Sequence, residues 1–445
     1  MTDGLPNPQR MLAFLTMAIA LTMAVLDGAI VNIALPTISK DLGIEPADAI
    51  WVINAYQVAI TVSLLPLASL GDILGYRRVY WSGLAVFTLA SLVCAFSSSL
   101  LMLSIARMVQ GLGAAGLMSV NIALIRFIYP RAMLGRGVSH VALVVAVSAA
   151  AGPSVGAAIL SVASWHWLFL VNVPLGVVAL FIAARILPMT PRSGHRFDVL
   201  SVFLNAATFG LLITGIDRLR NRGGATLALL QLCGTAAVGF VFVRRQLGLA
   251  LPMLPIDLLR RPVFALSVMT SVSSFAAQSL AYVALPFYLE GVLHRSETAT
   301  GLLMTPWPLG TALVAPFAGR LADRYAAPGR LASLGLLIMA IGAALVALGP
   351  SEPSAADIVW RLAVCGIGFG LFQSPNNKVI ISSAPRERSG GASGLQSTGR
   401  LVGQSVGTAL MAVVFGLLPA HQTATALWIT VGLSLAGAVA SALRS

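Results

Sequence analysis

The run MLAFLTMAIALTMAVLDGAIVNIALP, residues 11–36, decides the fold. A helix needs about 20 predominantly apolar residues to cross the hydrocarbon core of a bilayer, and this run supplies them. It also carries an acid, Asp27, in the stretch Leu26-Asp27-Gly28-Ala29-Ile30-Val31-Asn32. A carboxylate at that depth costs roughly 2.5–3.5 kcal/mol on insertion scales, so it requires a partner, a proton or a role. None of the other fourteen acids sits so clearly inside a hydrophobic span. Asp27 is therefore the natural place for a proton or a cation to bind.

Outward from that run the pattern recurs. The chain has 445 residues, 58% hydrophobic and 10% charged, against about 25% charged in soluble domains. Apolar runs lie near 11–35, 49–70, 79–97, 100–125, 137–162, 166–187, 199–216, 225–243, 263–288, 299–319, 331–349, 356–380, 391–417 and 422–443. Each can span a bilayer as a helix, which makes the chain an all-α integral membrane protein of fourteen spans. The first ten residues are short and polar, the next run is too long for a signal-peptide core, and no cleavage site follows. The first span is therefore expected to be retained.

A net charge of +13 invites a nucleic-acid partner, but its distribution argues for topology instead. With a cytoplasmic N-terminus and alternating spans, 20 of the 28 Lys and Arg fall in cytoplasmic segments. Six lie outside (Lys40, Arg218, Arg220, Arg222, Arg295, Arg361) and two within spans, Arg107 and Arg400. That is the positive-inside bias, with both termini cytoplasmic. The cluster Arg218, Arg220 and Arg222 runs against it. Cys94, Cys233 and Cys365 sit in separate apolar runs without metal spacing, where small apolar packing is their expected role. The five histidines are equally scattered. No metal site, cofactor or catalytic constellation is expected, and the chain is not read as an enzyme.

The two halves repeat. Gly71-Asp72 after the second span returns 251 residues later as Ala322-Asp323, and Gly152-Pro153-Ser154-Val155-Gly156 returns at the same offset as Gly403-Gln404-Ser405-Val406-Gly407. Gly111-Leu112-Gly113 tracks Gly366-Ile367-Gly368 at 255, and Ile33-Ala34-Leu35-Pro36 tracks Val283-Ala284-Leu285-Pro286 at 250. Same-direction repeats of six spans imply two bundles with a site at mid-membrane. The expected organisation is an N-terminal six-helix bundle (1–187), an inserted hairpin with linkers (188–262) and a C-terminal six-helix bundle (263–445).

Several motifs make a resemblance specific. Leu26-Asp27, Ile30-Val31-Asn32 and Ala34-Leu35-Pro36 resemble the first-span motif of the fourteen-span drug:proton antiporter branch of the major facilitator superfamily, with Ala29 where that branch usually has Thr. Leu70, Asp72, Gly75, Arg77 and Arg78 match the superfamily's loop signature after the second span, whereas Ala68, Ile73 and Tyr76 depart from it. The second copy, Gly319-Arg320-Leu321-Ala322-Asp323-Arg324, keeps its first Arg. The resemblance implies that Asp72, Gly75, Arg77, Arg78, Asp323 and Arg324 gate the cytoplasmic face, with Asp72 pairing with basic residues of the neighbouring loop. Arg107 with Gln110, Gly111 and Gly113 is similar to the Arg-x-x-Gln-Gly motif, and Ser148 to Ala157, around Gly152, Pro153 and Gly156, to the antiporter motif of the fifth span. Pro153 removes a backbone donor, and the small residues let a neighbour approach closely. Trp165-His166-Trp167 and Phe169-x-x-Asn172-x-Pro174-x-Gly176 match a further pattern, although Trp at a span end is also an ordinary interface anchor.

Depth connects two of these motifs. Asp27 lies 16 residues beyond Met11, about 24 Å from the cytoplasmic edge. Arg107 lies about seven residues into a span of opposite direction, about 10 Å from the outer edge. In a core about 30 Å thick the depths nearly coincide. Arg107 would hold Asp27 ionised when close and release it to protonation when the helices separate.

Asn32, Tyr56, Gln57, Gln110, Gln278, Tyr282, Phe372, Gln373 and Asn376 are candidate cavity residues, with Gln373 and Asn376 equally able to bind neighbouring helices. Glu290, at the outer end of the ninth span, is either a second proton or cation group or a solvated acid. Arg400 has no buried acid to match it, and Asp323 and Glu387 are its candidate contacts. The resemblance implies a proton-coupled multidrug efflux antiporter that exports amphipathic, cationic compounds by alternating access and draws on the proton gradient. An exporter of one metabolite, such as an amino acid or siderophore, is the alternative on the same fold, and a non-transporting membrane receptor a more distant one. Partners are small amphipathic substrates, protons and the lipid bilayer, with no nucleic acid. Oligomeric state is open, with a monomer expected. A bias of 26 Arg against two Lys, with abundant Ala and Gly, suggests a GC-rich bacterial genome and hence the inner membrane.

Overall fold

The computed structural model describes residues 4–130, 133–190, 192, 197–218, 225–249, 256–324, 328–350, 352–383, 389–418 and 422–444. Fourteen helices long and apolar enough to cross a membrane are present among them. In chain order the helices begin with α1 (Asn7–Asp41), α2 (Pro46–Ala49), α3 (Trp51–Leu74), α4 (Tyr76–Ala95), α5 (Leu100–Ile128) and α6 (Leu134–Leu160). Next come α7 (His166–Leu170), α8 (Asn172–Ile186), α9 (Val199–Arg218) and α10 (Ala225–Gly248). After a 3-10 turn (Ile256–Arg260) the chain forms α11 (Pro262–Phe287) and a π-helical turn (Tyr288–Val292). It ends with α12 (Glu297–Met304), α13 (Pro306–Arg324), α14 (Pro328–Ala347), α15 (Ala355–Ser383), α16 (Ser389–Leu417) and α17 (Gln422–Ala442).

Local chemistry sets several of these boundaries. Ser99 Oγ accepts from the Met102 N–H at 3.3 Å at the start of α5, and Ser296 Oγ from the Ala299 N–H at 3.2 Å at the start of α12. Each satisfies a donor that a helix start leaves free. Two runs that read as single spans are divided. The break between α12 and α13 falls before Pro306, which has no N–H to donate and suits a first helical position. The break between α7 and α8 falls just before Asn172, so that Pro174 lies in the first turn of α8, where its missing donor costs nothing.

The chain divides into two compact units, Met1–Ile44 with Trp51–Ala206, and Glu45–Ile50 with Ala207–Ser445. The division passes through α9, the first helix of the hairpin segment. Within the first unit α1 packs on α6 and α8, α3 on α5, and α4 on α5 and α8. Within the second, α11 packs on α16 and α17, α13 on α15, and α14 on α15 and α17. The pairings correspond one for one, so the sequence repeat is also a repeat of helix neighbours.

Small residues make those neighbours close. A methyl group at Gly111 would meet the Tyr56 carbonyl oxygen at 2.6 Å, and one at Gly366 would collide with the carbonyl of Trp307, the residue 251 positions after Tyr56. A methyl at Gly83 would meet the Gly113 carbonyl at 2.9 Å, and one at Gly335 the Phe372 N–H and Gly368 carbonyl. Without a hydrophobic drive between helices in lipid, such backbone approach supplies the packing.

Gly111→Leu and Gly366→Leu should each cost about 1–3 kcal/mol, because the obstructing atoms are backbone and cannot swing aside. Gly432→Leu, where nothing lies within 4 Å, is the control. Thermal unfolding in detergent measures the three, and the account fails if all three unfold at the wild-type temperature.

Candidate functional site

Five membrane spans of the first unit bring polar side chains together around Asp27. The acid sits on α1 and is 3% exposed; Arg107 and Gln110, one turn apart on α5, are 1% and 0% exposed. Arg107 Nη1 donates to Asp27 Oδ2 in an ion pair. The other carboxylate oxygen, Oδ1, accepts from Gln110 Nε2 at 2.9 Å and from Asn172 Nδ2 of α8 at 3.1 Å. A carboxylate is an acceptor only, and here both its oxygens are answered by N–H donors.

Arg107 is held through two of its three nitrogens. Its Nε donates to the Val52 carbonyl of α3 at 3.0 Å and its Nη1 to Gln110 Oε1 at 2.6 Å. The guanidinium carbon lies 4.1 Å from the centre of the Tyr56 ring and 5.5 Å from that of Phe169, placing aromatic faces against the cation. Tyr56 in turn donates its hydroxyl to the Ala24 carbonyl on α1 at 2.9 Å. On α4, Ser91 Oγ accepts from Gln110 Nε2 at 2.9 Å and Cys94 Sγ lies 3.6 Å from Gln110 Oε1. The network therefore ties α1, α3, α4, α5 and α8 to one buried charge pair. Inside a low-dielectric region such a pair needs further polar partners, and Gln110, Asn172 and the Val52 carbonyl supply them.

A sixth helix braces α1 beside the acid. A methyl at Gly152 of α6 would meet the Ala29 Cβ at 2.5 Å, and one at Gly156 would meet Ile30 Cγ2 at 3.2 Å. Ser148 Oγ donates to Thr22 Oγ1 at 3.1 Å. Pro153 lies inside the same helix. The small-residue face of the fifth span thus packs on the segment of α1 that carries Asp27.

The other candidate residues are more dispersed. Tyr56 and Gln110, read as cavity wall, are buried in the Asp27 network. Asn32 donates to the Gly28 carbonyl at 3.2 Å and leaves its Oδ1 buried without a partner. Gln57 is half-buried on α3. In the second unit Gln278 lies one helical turn before Tyr282, whose ring centre lies 5.1 Å from that of Trp307. Phe372 packs with Phe275 and Phe369, and Gln373 beside it is half-buried. Asn376 is fully buried and binds neighbouring helices, donating to Ser271 Oγ at 2.8 Å and accepting from Arg444 Nη1 at 2.5 Å. Glu290 lies in the π turn with Oε1 buried and without a hydrogen bond, beside Thr300 and Glu297.

At the loop after the second span, Asp72 accepts from the Tyr76 hydroxyl at 2.5 Å and makes no ion pair among the described residues. Tyr76, a departure from the loop signature, thus answers Asp72 with a neutral donor. Gly75 adopts φ 95°, a conformation that favours glycine, and Tyr76 N–H donates to Thr190 Oγ1 at 2.8 Å. Arg77 donates to the Ala184 carbonyl of α8, while Arg78 is exposed. Asp323 and Arg324 end α13, and their side chains lie outside the described residues. The adjoining contact that is described is Lys378 Nζ donating to the Ala322 carbonyl at 2.8 Å, a cation at a helix C-terminus. Sequence reasoning gave no site role to Asn172, Ser91, Cys94, Lys378 or Arg444. Asn172 alone carried a signal, through the motif that contains it.

A family model described as Major Facilitator Superfamily matches residues 17–408 and 267–444. The uncharacterized transporter YebQ of Escherichia coli (strain K12) is 55% identical over 99% of this chain and 97% of its own. The riboflavin transporter RibZ of Clostridioides difficile (strain 630) is 29% identical over 92% of this chain and 88% of its own. The multidrug resistance protein Stp of Mycobacterium tuberculosis (strain CDC 1551 / Oshkosh) is 29% identical over 92% and 76%. Among solved structures, a peptide transporter, POT, in complex with sulfate aligns with a TM-score of 0.71 at 15% identity, covering 97% of this chain and 94% of that one.

Breaking one side of the buried pair should cost more than removing both. Asp27→Asn and Arg107→Met each strand a buried charge or its partners, at about 3–5 kcal/mol. The double variant should be destabilised by clearly less than the sum. Thermal unfolding of the four proteins gives the answer, and additive losses would contradict the pairing.

Proposed function

The chain belongs to the major facilitator superfamily, and on that premise we propose that it is a proton-coupled exporter of amphipathic small molecules working by alternating access. The observation that carries the reading is the buried carboxylate of Asp27 within its closed set of donors. When Asp27 takes a proton it loses the charge that holds Arg107. The protonated carboxyl also brings a donor into a shell of N–H groups. Arg107, released, no longer bonds α1 to α5 across Tyr56 and Val52. Proton uptake thereby becomes a change in helix packing, and a packing change driven by substrate becomes proton release.

Export of drugs is supported by the likeness to a multidrug resistance protein and by the small-residue face that Gly152 and Gly156 press onto α1. The expectation of cationic substrates rested on the resemblance, on aromatic and apolar walls and on the one acid, Asp27. With Arg107 bonded to it, a cation gains that charge only by displacing Arg107. Export of one metabolite is the second reading, favoured by the likeness to a riboflavin transporter. A panel of dyes and cellular metabolites in transport assays separates the two by breadth. Absence of flux of any compound in reconstituted liposomes would favour a receptor. We assign the protein to a bacterial inner membrane as a monomer with both termini cytoplasmic, without cofactor and drawing on the proton gradient.

In everted vesicles, export driven by a pH gradient should fall to background in Asp27→Asn, measured at matched levels of inserted protein. Export at the wild-type rate would remove Asp27 from the coupling step.

A further inference from the structure

The second unit has no counterpart of Asp27. The positions 250 and 251 residues later are Ala277 and Gln278. It carries a half-buried cation within a span instead. Arg400 lies on α16, eleven residues after its first residue and seventeen before its last, too far from either end to belong to a terminal turn. Its Nε is buried without a hydrogen bond, and among the described residues the side chain has no ion pair and no aromatic ring beneath it; the side chains of its two candidate contacts, Asp323 and Glu387, lie outside the described residues. The other arginine within a span, Arg107, collects a carboxylate, a carbonyl, an amide oxygen and an aromatic face. Arg400 is also no relic of the repeat, because 251 residues earlier the chain has Ala149.

The face of α16 around Arg400 is polar. Gln396, Ser397 and Gln404 stand four residues before, three before and four after it, on the same side of the helix, and all three are half-buried. The opposite relation holds one position away. Gly399 and Gly403 press against Val268 and Val272 of α11, so that side of α16 is the packed one. An arginine keeps its charge at any accessible pH, and an intramembrane charge that has no partner among the described residues calls for one. Its planar fork matches a carboxylate with two parallel hydrogen bonds.

We propose that Arg400 is a substrate-binding residue that takes a carboxylate or similar oxyanion of the transported molecule, so that amphipathic anions and zwitterions are preferred over plain cations. The proposal rests on the reading of the chain as an exporter and supplies its substrate class. It also fits the first unit, where Asp27 already has its cation in Arg107.

A matched pair of dyes tests it: rhodamine 110, which carries a free carboxylate, and rhodamine 123, its methyl ester. Binding of each to the full-length purified protein is followed by fluorescence anisotropy. Wild type should bind the free acid more tightly than the ester. Arg400→Gln should weaken the acid at least about tenfold while leaving the ester little changed, and Arg400→Lys should recover part of the loss. A ratio of the two affinities is unmoved by a general loss of folded protein, which separates recognition from structure. Equal binding of the two dyes by wild type, no binding of the free acid, or an equal effect of Arg400→Gln on both would overturn the proposal. So would the same change of ratio in Asp323→Asn or Glu387→Gln, which would make Arg400 the partner of an internal acid. Flux of both dyes in proteoliposomes is measured alongside. Acid-selective binding without flux would refute the exporter reading and leave the Arg400 site standing.

Discussion

The ion pair between Asp27 and Arg107 is the interaction on which the first unit depends. A lone charge in the hydrocarbon region is costly, and two opposite charges are tolerated only when their remaining donors and acceptors are filled. Gln110 and Asn172 fill the second oxygen of Asp27, and the Val52 carbonyl and the Tyr56 ring hold Arg107. Each of those groups comes from a different span or a different turn. The bundle must therefore hold several helices in register to satisfy one carboxylate. In the proposed mechanism that dependence is what would give a proton leverage over the packing.

The second unit repeats the helix pairings of the first but not its charges. Gly366 takes the place of Gly111, and Trp307 that of Tyr56, at the same close crossing. Where the first unit has a compensated acid, the second has Arg400 with an open Nε and, at the end of α11, Glu290 in a π turn. Architecture was duplicated while electrostatics diverged. On the proposed roles of Asp27 and Arg400, the coupling group lies in one half and substrate recognition in the other.

Much of this was legible in the residues. The fourteen spans follow from hydropathy, because lipid admits only helices or closed barrels. Depth counted along two antiparallel spans was enough to bring Asp27 to the level of Arg107. The rest of the network was hidden for a physical reason. Gln110 and Tyr56 read as cavity wall because a polar side chain in a span declares that it needs a partner without declaring which one. Ser91 and Cys94 look like small packing residues until α4 is placed beside α5. The breaks before Asn172 and Pro306 lie inside runs of unbroken hydropathy and depend on where a missing N–H falls in a helix. Tyr76 was visible as a departure from a motif, but its bond to Asp72 required the turn at Gly75.

The central claim is that Asp27 changes protonation state as the protein works. Difference infrared spectroscopy of the protein reconstituted in lipid reads this directly. As pH is lowered, a carbonyl-stretch band of a protonated carboxylic acid should appear in wild type and be missing in Asp27→Asn. Spectra of wild type and Asp27→Asn that stay identical in that region, across the pH range in which transport proceeds, would contradict the account.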